Sequence, residues 1–198
     1  GALLLALFWI SAAAATDAPA DYENPKALSS GTEKPHATMS VYPDEASAGA
    51  ARRREESPFH LSLNGEWDYL WLPKPADVPA DFWKPDYAPT GWTKIPVPSN
   101  VEFHGHGIPI LMNIDYPFLK VDAMPTSDMA GKVPADNNPV SLYRRTFDMP
   151  KEWAGRRVHL VFDGADSFLR VWLNGRELGF SKDSRTPAEG DVTEFVKP

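Results

Sequence analysis

The widest chemical reach in this chain belongs to its carboxylates. Asp163, Asp166, Asp183, Glu189 and Asp191 all fall near expected turns in the C-terminal third. A paired-carboxylate hydrolase needs one acid and one base or nucleophile held at a set separation across the scissile bond. None of the five sits in a pattern that marks such a pair, and turn-forming or solvated carboxylates account for each of them. His104 and His106, one residue apart and interleaved with Gly105 and Gly107, have the residue type of metal ligands. Two histidines without a third ligand nearby read better as a loop. The chain contains no cysteine, which removes disulfides, thiolate metal sites and a thiol nucleophile together. There is no Gly-x-Ser-x-Gly elbow, no phosphate-cradling loop and no dinucleotide glycine pattern. Taken by themselves, the residues point to a binding or scaffold domain with no catalytic residue of its own.

Composition narrows the partners. With 20 Lys and Arg against 27 Asp and Glu, the net charge is −7, the wrong sign for a nucleic-acid partner. The one basic run, Arg52-Arg53-Arg54, is followed directly by Glu55-Glu56 and reads as a solvated helix face of mixed charge. Aromatic residues make up 12% of the 198 residues, with 7 Trp, which suits a β core or a sugar-stacking surface equally well.

The elements that would position these groups divide the chain in three. Residues 1–20 read as a signal peptide that is incomplete at its start. The apolar run Ala2–Ile10 is too short to span a bilayer, and Ala12–Ala15 supply small-residue cleavage positions. The expectation is therefore an exported protein, periplasmic or secreted, with no membrane attachment after cleavage. Residues 21–57 form a Pro- and Ala-rich arm, with one short helix expected through Asp44 to Arg53. From residue 58 to 198 the pattern is all-β.

Within that last part, Leu61 and Leu63 precede Asn64-Gly65, and Trp67, Tyr69 and Trp71 follow it, which predicts a hairpin. The stretch from Pro73 to Pro98 reads as an irregular connection anchored by Trp83 and Trp92. Strands are expected from Leu142 to Phe147, from Val158 to Phe162 and from Phe168 to Leu173. Asn174-Gly175 then turns the chain into Glu177–Phe180, and Asp191–Val196 reads as a last strand or short turn. Short strands at this spacing predict a β-sandwich or jelly roll, whose final strand at Pro198 suggests a domain truncated at its C-terminus.

Seven blocks in order carry a resemblance. They are Leu61-Ser62-Leu63-Asn64-Gly65-Glu66-Trp67, Ile95-Pro96-Val97-Pro98-Ser99-Asn100, Asn113-Ile114-Asp115-Tyr116-Pro117-Phe118 and Tyr143-Arg144-Arg145-Thr146-Phe147. Phe162-Asp163-Gly164, Trp172-Leu173-Asn174-Gly175 and Ser181-Lys182-Asp183-Ser184-Arg185-Thr186-Pro187-Ala188-Glu189 complete the set. In this register the chain, from about Asp21 onward, resembles the N-terminal sugar-binding domain of the glycoside hydrolase family 2 β-galactosidases. The first block alone is shared with β-glucuronidases and β-mannosidases.

The resemblance implies a galactose-binding-like jelly roll joined to a TIM barrel. The barrel would hold the acid/base and nucleophile glutamates for retaining hydrolysis of terminal β-galactosides. It implies that Asn113 contacts the sugar hydroxyls, with Ile114 beside it at the pocket wall. An amide suits that task because it offers both donors and an acceptor, although an Asn here also suits a turn. It further implies a β-galactoside or oligosaccharide substrate, C-terminal domains as partners within the same enzyme, and Mg and Na ions for the whole enzyme. A homo-oligomer is left open. The chain departs from the family pattern at Val101, His106, Leu111 and Gly190, the last standing where Phe is usual. A stand-alone carbohydrate-binding module is the rival reading.

Overall fold

A computed structural model describes residues 20–109 and 133–196. The described chain is all-β, with eight strands in three antiparallel sheets and one short α-helix. The segment expected to be a leader, and Asn113 and Ile114, lie outside the described residues. No described helix is long and apolar enough to cross a membrane.

The first sheet is ordered β3-β2-β4, with β2 (Gly65–Leu72) between β3 (Thr93–Val97) and β4 (Val140–Arg144). The period-2 pattern of β2 puts Trp67, Tyr69 and Trp71 on one face, where register sets Ile95 opposite Trp67 and Tyr143 opposite Tyr69. Leu70 and Leu142 pair on the other face. Tyr69 and Ile95 are 0% and 1% exposed and Leu142 is buried, so this sheet carries packing on both faces.

Two expectations are corrected here. The hairpin expected at Asn64-Gly65 does not form: Leu61–Leu63 is not a strand, and Gly65 instead opens β2 opposite Val97. A type I′ turn needs positive φ at both central residues, and Asn64 does not adopt it. Side chains take up the local carbonyls, since Arg145 donates to Asn64 O at 3.2 Å and Trp67 Nε1 donates to Leu63 O at 2.8 Å. The true partner of β2 lies in the Pro-rich stretch expected to be irregular. Thr93, Ile95 and Val97 alternate there, and Pro96 is tolerated because β3 is an edge strand.

The second Asn-Gly behaves as expected. Asn174 (φ 52) and Gly175 (φ 78) both take the left-handed conformation and join β6 (Leu169–Leu173) to β7 (Arg176–Ser181). A bulge between Val171 and Trp172 leaves Leu178 without a ladder partner. The third sheet pairs β5 (His159–Phe162) with β8 (Ala188–Asp191). Leu160 and Phe162 from β5 and Leu169, Val171 and Phe180 from β6 and β7 close around a gap of only about 20 Å³. Beyond β8 the chain makes a helical turn rather than a strand, with Val196 N bonded to Val192 O at 3.1 Å.

The N-terminal arm is bound into these sheets. Its helix α1 (Glu45–Ala50) starts at Asp44, whose carboxylate accepts the Ser47 N–H at 2.7 Å. Upstream, β1 (Ser29–Ser30) pairs with β7, and Glu33 N then donates to Glu189 O of β8 at 2.7 Å. Three glycines make this crossing possible. A Cβ on Gly179 would meet Ser30 O at 1.9 Å, and one on Gly31 would meet Leu178 O at 1.9 Å. A Cβ on Gly190 would stand 3.0 Å from both Gly31 O and Leu178 Cδ2.

Side-chain cations reinforce it. Lys182 Nζ donates to Asp21 O and Asn24 O, both at 2.6 Å, and Arg170 pairs with the Asp21 carboxylate. Arg54, within the exposed mixed-charge run, also forms a two-pronged pair with Asp163, one limb at 3.0 Å. That contact is the main cause holding the Asp163 carboxyl below the usual carboxylate range.

Gly179→Ala should cost roughly 2–4 kcal/mol in urea unfolding, because backbone blocks the new methyl. Gly49→Ala, in α1 with nothing within 4 Å of the added carbon, should be neutral or slightly stabilising. Arg54→Ala should cost only about 0.5–1 kcal/mol at neutral pH, since the pair is largely solvated. A depressed carboxyl contributes above its unfolded pKa and loses that contribution as pH falls through the folded value. The gap between wild type and Arg54→Ala should therefore close below about pH 4 in pH-dependent denaturation.

Candidate functional site

The residues expected to meet sugar, Asn113 and Ile114, lie outside the described residues, but both roots of their segment are described. The outgoing root runs from β3 through a 3-10 turn at Val101–His104, which Gly105 ends in the left-handed conformation (φ 82). His106 then packs edge-on against Tyr69, with ring centroids 4.7 Å apart. Tyr143 lies against the same ring at 4.9 Å, and the Tyr69 hydroxyl meets Ser141 Oγ at 2.9 Å. Gly107 passes beside Trp71 Nε1. The alternation of β2 and β4 therefore builds an aromatic platform, and the outgoing root rests on it. On the return side, Val133 N donates to Glu23 Oε1 of the arm at 2.9 Å.

The two tyrosines of this platform carry no charge of their own. Burial, with Tyr69 and Glu102 nearby, pushes the Tyr143 phenol up to about 12. Burial likewise raises Tyr69. Both phenols stay neutral across the physiological range and act as hydrogen-bonding and stacking groups. Phe103 and Ile108, 83% and 76% exposed, stand at the outgoing root as apolar surface. Tyr69 is fully buried with His106 packed against it, so the platform serves to hold the outgoing root in place.

Among the described residues, the candidate ligand pair His104 and His106 is not grouped with a third ligand. His106 is spent on Tyr69, and His104 is exposed at the end of the 3-10 turn. Among the described residues, the one group with ligand-like spacing is Glu33, His159 and Asp191. It includes an imidazole, and the Arg157 guanidinium sits on its two carboxylates. That donor set does not fit Mg or Na, which take oxygen ligands. Sequence reading passed over Glu33 and His159 because they lie 126 positions apart and only the arm's crossing joins them.

The five carboxylates weighed from the sequence are tied into the fold or its turns. Asp163 meets Arg54 and Asp166 meets Arg185. Glu189 lies between His159 Nδ1 at 2.5 Å and His36 Nε2 at 3.1 Å. The Thr193 hydroxyl and N–H, together with Arg157, hold the Asp191 carboxyl far below the usual range. Asp183 shapes the turn before β8, where its carbonyl accepts from Thr186 N. No two of them are arranged as an acid facing a nucleophile among the described residues.

Comparison with known proteins gives the family of the chain. Residues 60–198 match the family described as glycosyl hydrolases family 2, sugar binding domain. A protein named Beta-galactosidase from Vibrio cholerae is 34% identical over 177 residues, covering 89% of this chain and 16% of its own length. A Beta-galactosidase from Psychromonas ingrahamii is 35% identical over 173 residues, covering 87% of this chain and 16% of its own length. The Beta-galactosidase large subunit of Lactobacillus acidophilus is 34% identical over 157 residues, covering 73% of this chain and 24% of its own length. The chain thus spans a quarter or less of the length of these relatives. With its family match running unbroken through the aromatic platform, both loop roots and all of β2 to β8, this chain belongs to glycoside hydrolase family 2, as its sugar-binding domain.

Proposed function

We propose that this domain is the sugar-binding part of an exported, retaining β-galactosidase and adopts the jelly-roll form of that domain. It lends a substrate-contacting loop to an active site whose acid/base and nucleophile glutamates lie in a TIM barrel outside these 198 residues. The observation that carries this reading is the aromatic, uncharged platform at the loop roots, combined with the engagement of the candidate carboxylates in ion pairs and turns. The domain is built to hold a loop in place, and it has no described pair of carboxyls to run a hydrolysis.

In this reading Asn113 directs its amide to galactose hydroxyls and Ile114 forms the adjoining wall. The substrate is a terminal β-galactoside or oligosaccharide, and the domain's partners are the C-terminal domains of its own enzyme. Mg and Na serve the longer enzyme, held by residues other than these 198. The segment 1–20 directs export, residues 21–57 are the arm, and residues 58–198 carry the sugar-binding function.

The 198-residue chain alone should not hydrolyse a chromogenic β-galactoside, whereas the longer enzyme should; turnover by the purified chain would overturn the division of labour. In the longer enzyme, Asn113→Ala should raise KM for that substrate about tenfold, the loss of roughly one neutral hydrogen bond to sugar. Its melting temperature should stay unchanged. A large fall in melting temperature with unaltered KM would assign Asn113 to a turn instead.

A further inference from the structure

The crossing of the arm over β8 creates a second chemical feature, far from the loop roots in sequence. His159 and Asp191 are direct partners in the β5–β8 ladder, so their side chains leave the same face of the sheet. Glu33, just after the arm's close passage at Gly31, joins them. One ligand atom from each residue lies within 4.8 Å of the others.

Two neighbours give this trio the character of a cation site. Arg157 Nη2 donates to Asp191 Oδ2 at 2.8 Å and to Glu33 Oε1 at 3.3 Å, so a cation already bridges both carboxylates. The Arg157 side chain is 69% exposed and can swing away. On the other side, His159 Nδ1 is engaged by Glu189 Oε1 at 2.5 Å. A carboxylate on one imidazole nitrogen fixes the tautomer and leaves the lone pair on the other, as second-shell carboxylates do for metal-bound histidines. Glu189 is itself steadied by His36 Nε2 at 3.1 Å.

We propose that Glu33, His159 and Asp191 bind a borderline divalent cation of the Zn²⁺ class, which enters by displacing the Arg157 guanidinium. One imidazole and two carboxylates are a donor set that Zn²⁺ accepts, with water completing the shell. Ligand atoms around tetrahedral Zn²⁺ stand about 3.4 Å apart. The ligand atoms lie within 4.8 Å of one another, so metal binding would draw them together by side-chain rotation. The bound ion ties the arm to β5 and β8 at once, and it replaces one positive charge by two over a pair of carboxylates. Occupancy therefore stabilises the arm's attachment in proportion to free metal.

The test is Zn²⁺ titration of the untagged chain by calorimetry, with the melting temperature followed in parallel and Co²⁺ absorption as a probe of nitrogen ligation. One Zn²⁺ should bind with micromolar affinity and raise the melting temperature, and EDTA should reverse the rise. His159→Ala and Glu33→Gln should each weaken binding at least tenfold while leaving urea stability in EDTA unchanged. Arg157→Ala should tighten it severalfold, because the competing cation is gone. Binding weaker than millimolar, or affinity unmoved by His159→Ala and Glu33→Gln, would reject the site. Weaker binding by Arg157→Ala would reject the displacement.

Discussion

Backbone-to-backbone contact between the arm and the β7–β8 corner is the constraint on which the rest of this structure depends. Gly31, Gly179 and Gly190 approach one another's strands so closely that at Gly31 and Gly179 an added carbon would fall within 2 Å of a carbonyl oxygen. The arm can therefore pair with β7 through Ser29 and Ser30 and bond to β8 through Glu33 two turns of pleat later. It stitches together two sheets that share no ladder with each other. Because the arm is fixed there, Glu23 upstream reaches Val133, and the return root of the loop is held by the same segment. Packing of one stretch of chain thus links the corner of the domain to the base of its candidate sugar-binding loop.

Charge follows that geometry. The net charge is −7, yet the described carboxylates that line the arm's path meet Arg54, Arg157, Arg170 or a histidine. These pairs are mostly solvated, so each contributes little to stability alone. Their value lies in position: they join the arm to strands more than a hundred residues away. The platform under the loop is the opposite case. Its tyrosines stay neutral, and Tyr69 is fully buried, so it fixes the loop roots by packing and one hydroxyl pair.

Local patterning made much of the fold legible. The period-2 runs predicted at Trp67–Trp71, Val158–Phe162 and Phe168–Leu173 fall on β2, β5 and β6, and Asn174-Gly175 makes the expected turn with positive φ at both residues. The same dipeptide at Asn64-Gly65 fails because Arg145 and Trp67 take its neighbouring carbonyls and β2 finds a better partner in β3. The β3 strand was hidden by its prolines, which an edge position tolerates. The arm's pairing was hidden for a different reason: two residues of ladder carry no periodic signal, and only the facing glycines explain it. For the site, the motif blocks named Asn113 and Ile114, which lie outside the described residues, whereas the group at Glu33, His159 and Asp191 depends on long-range register that no local pattern encodes.

In the proposed division of labour, this domain positions sugar while carboxylates elsewhere in the enzyme break the bond. A mechanism-based 2-deoxy-2-fluoro-galactoside traps the glycosyl-enzyme intermediate of a retaining enzyme on its nucleophile. Peptide mapping of the inactivated longer enzyme tests the claim most directly. The label is predicted on a glutamate outside residues 1–198. A label on any carboxylate within this chain, Glu189 or Asp191 included, would contradict the account.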